Sequence, residues 1–250
     1  MPLATTATLL LAATTLAAIV GVRIGHRLRE RASERERTQM YGLQASLLGL
    51  LALLIGFSFA MAETRYDLRK QLVVDEANAI GTAWLRAGVV GDARAVEIQR
   101  LLEAYVAVRL QGYRAHEGGL RAALAESERL QREVWSRATA IARDDPRSLP
   151  ASLLLQALNA VIDLHATRVA VGRNHIPTMV LATLWLVAVV TLAWVGVCAG
   201  MSGRRALTVT LLLSLLVSAV ITVIVDLDQP RGGLIRVGQA TLADLQRSFR

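Results

Sequence analysis

Four stretches of this chain, residues 3–22, 43–62, 176–199 and 206–225, each run for about twenty residues without one acidic or basic side chain. A helix rising 1.5 Å per residue needs about 20 apolar residues to cross a hydrocarbon core. Water is absent there, so each backbone N–H and C=O must be satisfied within the segment, and a helix does this. The chain is therefore expected to be all-α, with four membrane-spanning helices. A mean hydropathy of +0.43 over 250 residues agrees with that reading. The first run lacks a charged stretch before it and is too long for a signal peptide, so it reads as a true span.

The charge is as informative as the apolar runs. Lys and Arg total 28 against 20 acids, and Lys70 is the single lysine. A pI near 10.8 raises nucleic acid as a partner. These arginines flank apolar runs or lie on amphipathic helices, however, and no basic run is interleaved with aromatics, so the lipid bilayer is the better partner. Cys198 sits alone inside an apolar run, which excludes a disulfide framework and a cysteine metal cluster. Basic residues near the span ends nearly balance, with eight arginines in the two short loops against Arg65, Arg69, Lys70, Arg168, Arg173, Arg231 and Arg236. The side faced by the polar region stays open.

The organisation follows from the spacing of the runs. Residues 1–62 hold spans one and two and an arginine-rich connection. Residues 63–175 form a polar region with a 3.6-residue apolar period, read as an extramembrane four-helix domain between spans two and three. Asp92 and Ser148 are helix N-caps by type and position, with Pro150 in the first turn after Ser148. Breaks are expected at 88–91, 118–119 and 144–150. Spans three and four occupy 176–226 as a hairpin. Residues 227–250 make a sharp turn, forced by Pro230 and the glycines beside it, and a short amphipathic helix.

No enzyme constellation is present. His26, His116, His165 and His175 are scattered without metal-ligand spacing, and His165 on an apolar helix face reads as a packing residue. Asp75 and Glu76 are adjacent and point to different faces, so they are not an acid/base pair. The chain is read as not an enzyme, with no metal or other cofactor. Span two is more informative. Gly42, Ser46, Gly49, Leu53, Gly56, Ala60 and Glu63 share one helical stripe, either a close-packing face or the lining of a pathway. Arg65 and Arg69, four residues apart, make either a solvated face or an electropositive vestibule that concentrates anions, with Glu76 two turns on. Asp226 and Asp228 close span four, either as a polar helix stop or as part of a cation site completed by carbonyls.

Two of these segments together resemble the bestrophin superfamily, and more closely its bestrophin-like bacterial branch. One is Gly56-Phe57 followed by Arg65-Tyr66 and Arg69. The other is Asp226, Asp228, Pro230 and Gly232 in that order after the last span. The resemblance implies a homo-oligomer, a pentamer, in a bacterial inner membrane, whose second spans surround an ion pore. It puts an apolar neck near Phe57 and Phe59, with Leu53, Gly56, Ala60 and Glu63 as further pore candidates. It puts Arg65, Tyr66 and Arg69 at the vestibule, where Glu76 is a further candidate by its position on the same helix. Two departures count. Ser58-Phe59-Ala60 replaces the polar residues that follow the Gly-Phe pair in bacterial bestrophins, and the acidic calcium clasp of animal bestrophins is absent. The expected function is an ion channel passing inorganic ions, anions in preference to cations. The alternative is a non-conducting membrane scaffold or sensor whose helical domain binds a partner.

Overall fold

The computed structural model describes residues 3–115, 117–202, 206–231 and 233–249. Among them there are eight helices and no strand: α1 Leu3–Leu28, α2 Glu34–Val90, α3 Ala93–Arg114, α4 Glu117–Asp144, α5 Leu149–Arg173, α6 Thr178–Ser202, α7 Ala206–Asp228 and α8 Ala240–Ser248. Four apolar windows long enough to cross a membrane lie along α1, α2, α6 and α7. The chain forms two compact units: residues 1–67 with 175–236, and residues 68–174 with 237–250. Helix α2 supplies its first part to one unit and its second part to the other.

The apolar unit is built on α1, α6 and α7. Gly21 and Gly25 of α1 face Gly196 and Gly200 of α6 so closely that a Cβ on any of the four would collide with a carbonyl of the other helix. In lipid no hydrophobic driving force draws helices together, so such close backbone contact is what holds them. Thr14 on α1 adds a buried 3.0 Å hydroxyl contact to Ser218 on α7. The core is completed by Leu184, Ala188 and Leu192 of α6, Ile221 and Ile224 of α7, and Leu51 and Ala62 of α2. At one end α2 is pinned to α6 by Trp194 Nε1 donating to the Met40 carbonyl at 3.1 Å and by Tyr41 Oη against Ser202 Oγ at 2.9 Å. Helix α2 opens with a capping box: Ser33 and Glu36 bond each other's backbone and side-chain groups reciprocally.

The polar unit holds the second part of α2 with α3, α4, α5 and α8. Asp92 caps α3 by accepting from the Arg94 N–H at 2.7 Å, and Ser148 caps α5 by accepting from the Ala151 N–H at 3.3 Å. One expected break moves. Gly118 and Gly119 lie inside the first turn of α4, and the chain leaves the helix at Ala115, whose ψ is 154°. Leu102, Tyr105 and Val106 of α3, Leu130 and Val134 of α4, and Leu154, Leu158 and Val161 of α5 are buried in this unit. Phe249 stacks on Trp84 with ring centroids 5.3 Å apart, holding the α8 end.

Candidate functional site

Helix α2 has two faces of opposite character. At 100° per residue, Gly42, Ser46, Gly49, Leu53, Gly56, Ala60 and Glu63 fall within roughly 100° of arc. All seven are exposed. A Cβ added at Gly42, Gly49 or Gly56 would meet no atom within 4 Å. Phe57 and Phe59 border this arc on either side, 62% and 38% exposed. The opposite face carries Leu51, Ser58 and Ala62, all buried at 2% exposure or less. The small-residue stripe is thus not a packing face within this chain; the small residues that close helices together here are those of α1 and α6.

The same periodicity sorts the charged residues. Asp67 lies four residues past Glu63 and continues the open stripe, and both are exposed. Arg65 and Arg69 follow the covered face. Arg65 and Tyr66 are half-buried, and Tyr66 packs on the apolar core. Arg69 is buried, its Nη2 donating to the Asn174 carbonyl at 3.2 Å.

Glu76, five turns beyond Ser58, extends this covered face into the polar unit and is fully enclosed there rather than lining an open vestibule. Its carboxylate takes the Tyr105 hydroxyl hydrogen at 2.8 Å and lies 3.0 Å from Arg109 Nε, while Arg168 pairs with its second oxygen. Arg168 also donates to Gln239 Oε1 at 3.2 Å, so the segment before α8 joins the cluster. Tyr105 spends its only hydrogen on Glu76. The 3.0 Å contact to His165 Nδ1 therefore has the imidazole as donor, and Gln131 donates to the same phenol oxygen at 3.3 Å. His165 Nε2 is left as a buried acceptor with no hydrogen-bond partner. Burial and the Arg109 charge push the His165 imidazole down to about 4, and burial raises the Tyr105 phenol to about 12. Breaking a buried ion cluster leaves an uncompensated charge, so this network fixes how α2, α3 and α5 meet.

Asp226 and Asp228 hold the turn after α7. Asp226 accepts the Leu234 and Ile235 N–H groups at 2.8 and 2.9 Å, and Asp228 accepts the Ile176 N–H at 3.0 Å, tying the start of α6 to the end of α7. Gly233 packs so tightly on the Asp226 carboxylate that a Cβ would collide with it. Pro230 is half-buried in the turn, and Gly232 lies outside the described residues. No group of three potential metal ligands occurs among the described residues.

A model of the bestrophin-like domain matches residues 12–242 of this chain. The chain belongs to the bestrophin-like family. This bestrophin-like chain also shares its fold with solved bacterial bestrophin homologues from Klebsiella pneumoniae. One, solved by zinc phasing, is 12% identical, with 97% of this chain and 96% of that one covered at a TM-score of 0.75. A single-substitution variant is 12% identical, with 99% and 96% covered at 0.76. A second variant is 13% identical, with 97% of each chain covered at 0.75. Curated protein sequences yield no match to this bestrophin-like chain. Family and apolar helices together make it a membrane protein. Reasoning from sequence missed two features of the family member: the buried partners of Glu76, and the Gly21/Gly25 and Gly196/Gly200 pairs. The glycine pairs had a visible four-residue spacing; Glu76, Arg109 and Arg168 are too far apart in sequence for any local signal.

Proposed function

We propose that this protein is a homo-oligomeric ion channel, a pentamer, in which the open stripe of α2 lines the pore. The observation that carries this reading is the uncovered face from Gly42 to Asp67, opposite a face that packs on α1, α6 and α7. A helix whose small and polar residues meet no partner in its own chain suits a symmetry axis with water along it. In the scaffold alternative that stripe would be covered within the subunit, and it is not. Leu53, Gly56 and Ala60 then form the apolar stretch of the pore, bordered by Phe57 and Phe59, where dewetting can gate conduction.

The expectation of anions rested on Arg65 and Arg69. With Arg69 buried and Arg65 on the covered face, the charges that such a pore presents at the end of the apolar stretch are Glu63 and Asp67, and Lys70 lies beyond both. Rings of carboxylates favour cations, so the selectivity proposed here is for cations over anions. The test is flux through reconstituted protein across salt gradients. A cation-to-anion permeability ratio above one in wild type, falling toward one in a Glu63→Gln, Asp67→Asn variant, supports the reading. Silence in wild type and in Leu53→Ala and Phe57→Ala variants alike overturns it.

A further inference from the structure

The polar end of the apolar unit carries a cavity that the pore stripe does not use. It is an open groove of about 410 Å³ between the end of α1, the first three turns of α2 and the flank of α6. Its wall is mixed in character. Leu28, Met40, Leu43 and Trp194 make it apolar, and Arg31 and Gln39 make it polar. Trp194 is held in position by its bond to the Met40 carbonyl, which takes up the indole N–H. Leu28 and Leu43 are exposed at 37% and 45%, so apolar surface beside a cation lacks cover in this chain.

Charge decides what fits. Residues 23–37 hold six arginines against three glutamates, and of these Arg31 and Glu36 line the groove. The one acid on the cavity wall, Glu36, is committed to the capping box: its Oε2 accepts both the backbone N–H and the hydroxyl of Ser33, which holds its carboxyl below the usual range. One of its two oxygens is therefore taken up by Ser33, the residue before α2, and Arg31 is the groove's one cation. A ligand with a negative head and an apolar body matches such a wall, and a membrane supplies one. Basic pockets between spanning helices take anionic headgroups, and aromatic residues sit at the headgroup level.

We propose that this cavity is a binding site for one anionic phospholipid, its phosphate held by Arg31 and Gln39 and the upper part of an acyl chain laid along Leu28, Leu43 and Trp194. The site is independent of the pore reading, because none of its residues belongs to the exposed α2 stripe that runs from Gly42 to Asp67.

Tryptophan quenching tests it. A Trp84→Phe, Trp135→Phe, Trp185→Phe variant keeps Trp194 as its one tryptophan. Reconstituted in phosphatidylcholine with brominated chains, its fluorescence should be quenched. Unlabelled phosphatidylglycerol should relieve that quenching at about one-fifth the concentration of unlabelled phosphatidylcholine with the same chains, the preference one arginine provides. Arg31→Gln in the same background should bring the two curves together. Native mass spectrometry of the unmodified chain and Arg31→Gln in equimolar mixtures of the two lipids gives the same comparison without removing any tryptophan. Identical curves for the two lipids, a preference that survives Arg31→Gln, or a Trp194 that brominated lipid never quenches would each overturn the proposal. The last would mean that protein, including a second copy of the chain, covers the cavity.

Discussion

Two sets of small residues at four-residue or similar spacing lie in the apolar unit, and they meet opposite fates. On α1 and α6, Gly21, Gly25, Gly196 and Gly200 are closed against carbonyls of the facing helix. On α2, Gly42, Gly49 and Gly56 face open space. Composition does not separate the two sets. What separates them is the other face of each helix. On α2, Leu51, Ser58 and Ala62 already supply the contact with the bundle, so its small stripe is free for something outside the chain. On α1 and α6, the glycines are the contact. A small residue in a membrane helix therefore marks a close junction only where its own face is turned to a neighbouring helix.

The comparison breaks first if the glycines can be exchanged between roles. Gly25→Leu or Gly196→Leu should abolish recovery of folded protein, because the obstruction is backbone and cannot turn aside as a side chain would. Gly56→Leu should fold with an unchanged elution profile and alter flux alone. Size-exclusion chromatography and thermal unfolding in detergent read both outcomes. A Gly196→Leu protein as stable as wild type would remove the contrast.

A control that loosens the protein without touching either stripe sharpens it. Glu76→Ala leaves Arg109 and Arg168 without their shared carboxylate and should cost about 3–5 kcal/mol in the polar unit. It should be read as a lower midpoint in chemical denaturation. Flux per folded molecule should change less than in Gly56→Leu.

Acid probes the same control more gently. His165 titrates near 6.5 when unfolded and near 4 when folded, so the unfolded chain binds the extra proton first. Stability is then intact above about pH 6.5 and falls toward pH 4 with a slope of about 1.4 kcal/mol per unit from this group, levelling off below. His165→Gln should flatten that fall, as measured by denaturation midpoints across this pH window.

The smallest effect is expected at Thr14. Its hydroxyl bond to Ser218 crosses from α1 to α7, and such bonds contribute about 0.6 kcal/mol in membranes. Thr14→Val should shift unfolding by little, well below either glycine substitution. A large shift would mean that hydrogen bonding, and not close backbone approach, holds this bundle.

Much of this was legible in the residues. Long uncharged runs leave few alternatives to spanning helices, and Asp92 and Ser148 mark helix starts because their side chains cap by local geometry. The spacing of span two also identified the stripe that the structure leaves open. The same 100° rule places Arg65, Arg69 and Glu76 on the other side of the helix, which their charge alone does not show. The partners of Glu76 were not legible, since Arg109 and Arg168 are brought to it only by the packing of α3 and α5. The role of Asp226 and Asp228 likewise depends on backbone N–H groups, which every residue but proline offers, so no residue pattern announces it.

Thiol accessibility along α2 reports which face of the helix meets water. In a Cys198→Ala background, single cysteines at Leu53, Gly56, Ala60 and Ser58 are treated with a membrane-impermeant methanethiosulfonate in reconstituted vesicles while flux is followed. Modification and loss of flux are expected at 53, 56 and 60, and neither at 58. Modification at 58 with none at 56 and 60 would contradict the pore-lining role of the stripe.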